Sequence, residues 1–421
     1  MDAFVIEGGR KLYGEVKIDC AKNALLPLIS AAAAIGGKCF FEDFPKFTDT
    51  EILLSIIKEM GGDFQKRDGG VEIDSSCMNT GVFPEKLFKT VRASVFMLGG
   101  ILARFGYARC PLPGGCRIGE RPINIHLDAL RQMGAEITEE DGFVSCRAEK
   151  LIGAKIVLPF PSVGVTENIM IAGCFAHGDT VIENAAIEPE VMDLKKFLNA
   201  CGGRVISKGR TFFVEGNKRL KGISYCPIPD RIEAGTFLYA AALVGGEVVL
   251  NAFPEKNICS FVRKSGNNAC KIYAFNGNIY INAKGTPFSA AQIKAMPYPA
   301  YPTDMQSQTI ALLSVANGES VIEDGVFPSR FASAEQMKKL GADIRIDGGR
   351  AIINGVKGLL GSDVVAEDLR GGAGLVLACL KAEGRSVVKN AELLDRGYEC
   401  FEDKLSLLGA DVKRIELRED K

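Results

Sequence analysis

Leu127-Asp-Ala-Leu-Arg-Gln-Met-Gly-Ala135 carries apolar residues at helical spacing and stops at a glycine. It has relatives along the chain. Leu53-Leu-Ser-Ile-Ile-Lys-Glu-Met-Gly-Gly62, Leu194-Lys-Lys-Phe-Leu-Asn-Ala-Cys-Gly-Gly203, Glu335-Gln-Met-Lys-Lys-Leu-Gly-Ala342 and Leu405-Ser-Leu-Leu-Gly-Ala410 share the same form. Each reads as an amphipathic helix closed by a glycine in the left-handed conformation. Short alternating segments follow, such as Ala342-Asp-Ile-Arg-Ile-Asp and Arg350-Ala-Ile-Ile-Asn, which read as strands. The glycines at 61, 134, 202, 341 and 409 are 73, 68, 139 and 68 apart. The long gap spans two periods, and a degraded copy is expected near 260–282, around Lys264-Ser-Gly266. A unit of roughly 70 residues therefore recurs about six times, longer than common solenoid repeats.

Before each of these units stands a second helical segment, rich in small residues: 23–35, 92–104, 166–176, 233–244, 304–316 and 373–382. Small residues on most faces suit a helix buried between sheets. The expected fold is α/β, with two similar domains of three repeated units each and buried helices surrounded by sheets. The proline-rich segment Pro227-Ile-Pro229-Asp-Arg231 marks the crossover. The expected domains are 20–229, and 1–19 together with 230–421, with the active site in a cleft between them.

Charge gathers where the buried helices begin. Lys22-Asn23, Arg92, Ser162-Val-Gly164-Val-Thr166, Asp230-Arg231, Thr303-Asp304 and Asp368-Leu-Arg370 hold those places. Asn23, Thr166, Thr303 and Asp368 are ordinary helix caps when taken singly. A cation at a helix start opposes the dipole, so the recurrence of Lys22, Arg92, Arg231 and Arg370 needs another reason. Helix ends and guanidinium groups gathered on one multiply anionic ligand supply it.

Composition removes several function classes. The 421 residues have a net charge of −1, so no global basic field exists for nucleic acid. The thirteen cysteines include no Cys-x-x-Cys pair, and the only histidines are His126 and His177, which argues against zinc and against a disulfide framework. No signal peptide or membrane-spanning run is evident, and a cytoplasmic setting is expected. One loop stands apart: Pro111-Leu-Pro-Gly-Gly-Cys116-Arg-Ile-Gly-Glu-Arg121-Pro122. Its breakers exclude helix and strand, and Arg117 and Arg121 favour a reactive thiolate at Cys116. The competing reading is a surface loop with an incidental cysteine.

That loop, with Ala21-Lys22-Asn23-Ala24, Pro302-Thr-Asp304-Met-Gln306, Arg330-Phe331, Asp368-Leu-Arg370 and Asp395-Arg396-Gly-Tyr-Glu399, resembles the enolpyruvyl transferases, in particular the branch that acts on UDP-N-acetylglucosamine. The resemblance runs essentially the whole length of the chain. It implies transfer of the enolpyruvyl group of phosphoenolpyruvate to the sugar 3′-hydroxyl by addition and elimination, without metal or organic cofactor. By the same resemblance, Lys22, Arg121 and Arg396 hold the phosphate, with Arg92 as a further cation. Arg330 and Arg370 lie near the carboxylate. Asp304 takes the hydroxyl proton, Asn23 and Val326 meet the sugar, and Ser162, Val163 and Gly164 meet the diphosphate. Pro122 and Leu127 lie in the stretch that contacts uracil. Cys116 serves as general acid, adduct former or aid to product release, and is the residue that fosfomycin would alkylate. Its loop is expected to close over the cleft on Gly114, Gly115 and Gly119.

The chain departs from the family at Cys20, where glycine is commoner, at Phe160-Pro161, where a nucleotide-contacting lysine is missing, and over 255–282. Two other readings stand beside this one: a shikimate-type enolpyruvyl transferase, and a non-catalytic repeat protein that binds a partner. The expected partners are the two small substrates, with no nucleic acid and no membrane, and the sequence assigns no oligomeric state.

Overall fold

The computed structural model describes residues 1–112, 123–251, 270–285 and 288–417. The chain forms two compact units. One takes Met1–Asp19 and the residues from Pro229 onward, and the other takes the described residues between Cys20 and Ile228. Each has its own hydrophobic core. No described helix is long and apolar enough to cross a membrane.

Among the described residues each unit holds three sheets. In the Cys20–Ile228 unit the first runs Ser224–Tyr225, Lys38–Glu42, Gly70–Asp74, Asp63–Arg67. Its first pair is parallel and the other two are antiparallel. The same plan recurs in the sheet Lys155–Val157, Thr180–Glu183, Thr211–Val214, Val205–Lys208. The remaining sheet of that unit has three strands, and a lone parallel bridge from Val82 to Arg109 stands where the fourth would be. The other unit repeats the plan three times. In one of its sheets the N-terminal strand Asp2–Glu7 lies between Arg385–Lys389 and Asp411–Glu416, so the sixth repeat is completed by the beginning of the chain.

The repeat is legible in the backbone. Gly61, Gly134, Gly202, Gly341 and Gly409 all have positive φ, between 85° and 100°. In the fourth copy the hairpin Cys270–Phe275 with Asn278–Ala283 is present, while residues 252–269, where its helix was expected, lie outside the described residues.

The six small-residue helices sit inside the units. In the Cys20–Ile228 unit these are Lys22–Ile35, Leu98–Phe105 preceded by the 3-10 turn Arg92–Met97, and Val163–Phe175. A side chain on Gly100 would come within 2.8 Å of Ala34 Cβ and 3.0 Å of Ile171, so that glycine touches both neighbouring helices. In the other unit the helices are Arg231–Val244, Gln306–Leu313 preceded by the turn Thr303–Met305, and Leu369–Lys381. There a Cβ on Gly374 would stand 2.7 Å from the Ser307 backbone.

Asp19 and Asp230 stand at the ends of the two segments that enter this second unit. The Asp230 N–H donates to the Asp19 carbonyl at 2.8 Å. Lys404 Nζ donates to Asp19 Oδ2 and Glu233 Oε1, both at 2.6 Å, and the Asp19 N–H donates to Glu233 Oε2 at 2.7 Å. Burial, reinforced by Asp19 and Asp230 and opposed by Lys404, pushes the Glu233 carboxyl up to about 8.

Two predictions arise here. Gly246 has φ +125° and pairs with Leu12, and a Cβ there would meet the Leu12 carbonyl oxygen at 1.8 Å. Gly246→Ala should cost at least about 3 kcal/mol in denaturant unfolding, against about 1 kcal/mol for Gly9→Ala. Gly9 has φ +84° but open space around it. The second concerns Glu233. Its folded pKa lies above the usual 4.5, so the folded protein holds that proton more tightly. The stability it contributes is complete below that usual value and is lost as pH rises towards about 8. Denaturation midpoints should fall over this interval in the wild type and fall less in Glu233→Gln, which keeps an acceptor for the Asp19 N–H.

Candidate active site

Lys22 is the first residue of its helix, and the preceding Ala21 offers no side-chain cap. Its ammonium is almost buried and lies 2.8 Å from Asp49 Oδ2, itself buried in the first turn of the helix Thr48–Glu59. Pro27 lies within the Lys22 helix and has no N–H to give to the carbonyl of half-buried Asn23, one turn earlier.

Arg92 opens the 3-10 turn before the second buried helix. The His126 ring is close to it. Burial, with the charge of Arg92 added, pulls His126 down to about 3, so the ring is neutral at physiological pH. Asn168 fixes its tautomer: the amide Oδ1 accepts from the Gly99 N–H at 2.7 Å, and Nδ2 faces His126 Nδ1 at 3.1 Å. Nδ1 is thus the acceptor, and the ring proton is assigned to Nε2.

Ser162 caps the third buried helix, its Oγ accepting from the Val165 N–H at 3.5 Å. Val163 and Gly164 form the first turn, where helical N–H groups lack intrahelical partners. Leu127 is 1% exposed and packs into the core, so its side chain lines no surface. Cys116, Arg121 and Pro122 lie outside the described residues.

The second constellation belongs to the other unit. Asp304 stands in the turn Thr303–Met305 at the head of a buried helix. Arg330 Nη1 donates to its Oδ1 at 2.8 Å. Arg370 Nε donates to its Oδ2 at 3.3 Å. Arg330 Nη2 also lies 3.9 Å from Asp368, which caps the helix Leu369–Lys381 by accepting from the Arg370 and Gly371 N–H groups. Both arginines are buried, and both Nη groups of Arg370 and the Nε of Arg330 have no hydrogen-bond acceptor in the protein. Arg370 Nη2 comes within 3.3 Å of Asp304 as a charge contact without hydrogen-bond alignment. Burial alone would lower the Arg370 pKa; the Tyr398 phenol and the Asp304 and Asp230 carboxylates reverse that and raise it. Its charge is permanent.

Asp324 shapes the adjoining turn. Its Oδ1 accepts from the Val326 and Phe327 N–H groups, each at 2.8 Å, and its Oδ2 accepts from the Thr303 hydroxyl at 2.6 Å. Half-buried Val326 is thereby set beside the Asp304 turn. Arg396 ends the 3-10 turn Ala391–Arg396 and is half-buried. Its neighbour Asp395 is gripped at both oxygens by Arg414 at 2.6 and 2.8 Å.

Arg92 and Arg231 begin their elements, as Lys22 does, and Arg370 is the second residue of its helix. Each unit thus carries cations at its helix starts, and in the unit of Arg330 and Arg370 buried guanidinium donors remain unused, a chemistry suited to an anionic group.

A sequence profile described as EPSP synthase (3-phosphoshikimate 1-carboxyvinyltransferase) matches residues 6–405. The chain belongs to the enolpyruvyl transferase family. UDP-N-acetylglucosamine 1-carboxyvinyltransferase 1 of Carboxydothermus hydrogenoformans is 43% identical to this enolpyruvyl transferase, over 99% of both chains. The protein of the same name from Caldanaerobacter subterraneus subsp. tengcongensis is 45% identical over 98% of this chain and 99% of its own. Among solved structures, the enolpyruvyl transferase NikO from Streptomyces tendae superposes with a TM-score of 0.88 at 23% identity, covering 98% of each chain, which establishes the shared fold.

Asp49 and Asp324 are not singled out by the sequence, and Tyr398 stands there in the motif Asp395-Arg396-Gly-Tyr-Glu399 without a role of its own. Only the spacing of Asp49 from a helix start hints at its pairing.

Removing Asp304 would leave two buried guanidinium groups short of a shared carboxylate. Asp304→Ala should lose about 3 kcal/mol of unfolding free energy, and Asp304→Asn, which still accepts hydrogen bonds, about 1 kcal/mol. Urea denaturation of the two variants checks the order.

Proposed function

We propose that this enolpyruvyl transferase moves the enolpyruvyl group of phosphoenolpyruvate to the 3′-hydroxyl of UDP-N-acetylglucosamine and releases phosphate, the first committed step of peptidoglycan precursor synthesis in the bacterial cytoplasm. The names of its full-length relatives support the acceptor. The observation that carries the chemistry is the single carboxylate of Asp304 shared by two buried arginines that keep unused N–H donors.

In this reading Arg330 and Arg370 take the carboxylate of phosphoenolpyruvate, and Lys22, Arg121 and Arg396 take its phosphate, with Arg92 adding positive charge. Asn23 and Val326 meet the sugar. The N–H groups around Ser162, Val163 and Gly164 meet the diphosphate, and the stretch holding Pro122 and Leu127 meets the uracil, with Leu127 supporting it from the core. Asp304 accepts the 3′-hydroxyl proton as the oxygen bonds to C2 of phosphoenolpyruvate. The Cys116 thiol gives a proton to C3. The resulting ketal keeps its phosphate until C3 returns a proton to the Cys116 thiolate and the C2–O bond to phosphate breaks, its electron pair leaving with the phosphate. Fixed guanidinium groups stabilise the charge that develops on the way.

Phosphate release should require both substrates, and shikimate 3-phosphate should not replace the sugar nucleotide. Release with shikimate 3-phosphate alone as acceptor would transfer the reading to the sibling activity. Cys116→Ala should lower turnover by about 10²-fold or more, while Cys116→Asp keeps a proton donor and retains activity. Fosfomycin should add its mass to the wild type and not to Cys116→Ala. An unmodified wild-type mass would remove the reactive thiolate from the mechanism.

A further inference from the structure

Arg370 donates through Nε to Asp304, and its buried Nη groups make no aligned hydrogen bond, although the Tyr398 hydroxyl stands near the cation. A guanidinium used in this way must be held in one plane, because its two free donors meet a carboxylate only when they are aligned with it. Contacts at 3.3 Å from Nε and Nη2 to a single oxygen do not fix that plane. The guanidinium also lies over the ring of Tyr398, its carbon 5.4 Å from the ring centroid.

Tyr398 is itself immobilised. Its ring is 1% exposed and packs on Phe401 at 4.7 Å, which in turn packs on Phe237 at 5.6 Å. Its hydroxyl lies 3.0 Å from Thr236 Oγ1 and 3.4 Å from Gln308 Nε2. The direction of these bonds can be deduced. Thr236 spends its own proton on the Ile232 carbonyl at 2.8 Å, so its oxygen is an acceptor towards Tyr398. The Gln308 amide nitrogen, the atom that faces the phenol, can only donate. The Tyr398 proton therefore points to Thr236, and the phenol oxygen presents its remaining lone pairs to Gln308 Nε2 and to the cation. Two buried helices, Arg231–Val244 and Gln306–Leu313, thus orient a side chain that belongs to the segment after Arg396.

We infer that Tyr398 is a positioning residue for Arg370: anchored by Thr236 and Gln308, it fixes the guanidinium plane so that the two free donors face the carboxylate of the three-carbon substrate. The inference rests on the assignment of that carboxylate to Arg370 in the proposed reaction. It adds a reason for burying the Tyr398 phenol against Thr236 and Gln308.

The test combines kinetics with a reading that does not need turnover. Tyr398→Phe keeps the ring and removes the anchor, Tyr398→Leu removes both, and Thr236→Val removes the acceptor from the other side. The apparent KM for phosphoenolpyruvate should rise by about three-fold in Tyr398→Phe and Thr236→Val and by about ten-fold or more in Tyr398→Leu. The KM for UDP-N-acetylglucosamine should stay within about two-fold of the wild type. A purely structural role would lower melting temperature and kcat together and leave both KM values in place, and that result overturns the inference. In parallel, solvent exchange of the Arg370 Nε–H is followed by NMR in arginine-labelled protein, with the signal assigned through Arg370→Lys. Exchange should quicken in Tyr398→Leu and, less, in Tyr398→Phe; an unchanged rate in folded variants also overturns the inference. Should Tyr398→Leu not fold, the other two variants decide. If the wild type releases no phosphate from the two substrates, the proposed reaction fails, and the exchange rates still decide whether Tyr398 holds Arg370.

Discussion

Each unit depends on three helices that meet with almost no side chain between them. Gly100 against Ala34 and Ile171 in one unit, and Gly374 against the Ser307 backbone in the other, set that approach. Helices this close are buried on most faces, with the few polar side chains between them hydrogen-bonded across, as Gln308 is to Thr236, and they must be covered on their outside. The sheets do the covering, and their strands alternate between buried positions that are mostly apolar, such as Phe41, Val71, Ile73, Ile322 and Ile353, and more exposed ones. A buried helix also has only its ends to offer to solvent or to a ligand. The chemistry of these units is therefore confined to helix starts and the turns beside them.

That confinement creates an electrostatic problem. Lys22, Arg92, Arg231 and Arg370 stand at or beside the positive ends of their helices, where a cation is disfavoured. Acids offset it locally. Asp49 pairs with Lys22, Asp304 with Arg330 and Arg370, and Asp368 spans the backbone cap and the edge of Arg330. These carboxylates occupy the kind of position that an anionic ligand group would take. Arginine suits such a site better than lysine: one edge of the fork can keep its internal partner while another stays free, as Arg370 does.

Much of this was legible in the sequence. The five glycine-capped copies gave the period, and all five glycines are in the left-handed conformation. The small-residue segments are the buried helices, within a few residues at each end. Two of them, at 92–104 and 304–316, open with a 3-10 turn that helical periodicity does not distinguish from an α-helix. The pairing of Asp304 with Arg330 and Arg370 was not legible, because it joins residues 26 and 66 positions apart. At Leu127 the resemblance names a stretch, and the structure adds that this side chain belongs to the core. Asp49, Asp324 and Tyr398 escaped for a related reason. Each acts on a neighbour supplied by the fold, and a single sequence carries no mark of that neighbour.

In the proposed reaction Asp304 has two tasks, counter-charge of two buried guanidinium groups and acceptor of the hydroxyl proton. Both tasks need the carboxylate held in one place. Arg330 holds one of its oxygens at 2.8 Å and Arg370 the other at 3.3 Å, while its side chain stays 24% exposed. In that reading a substrate carboxylate meets the remaining donors of Arg370 without displacing Asp304, because a guanidinium fork can serve two anions from different edges. The ion pairs that hold the site together would then also fix the distance between the substrate carboxylate and the base.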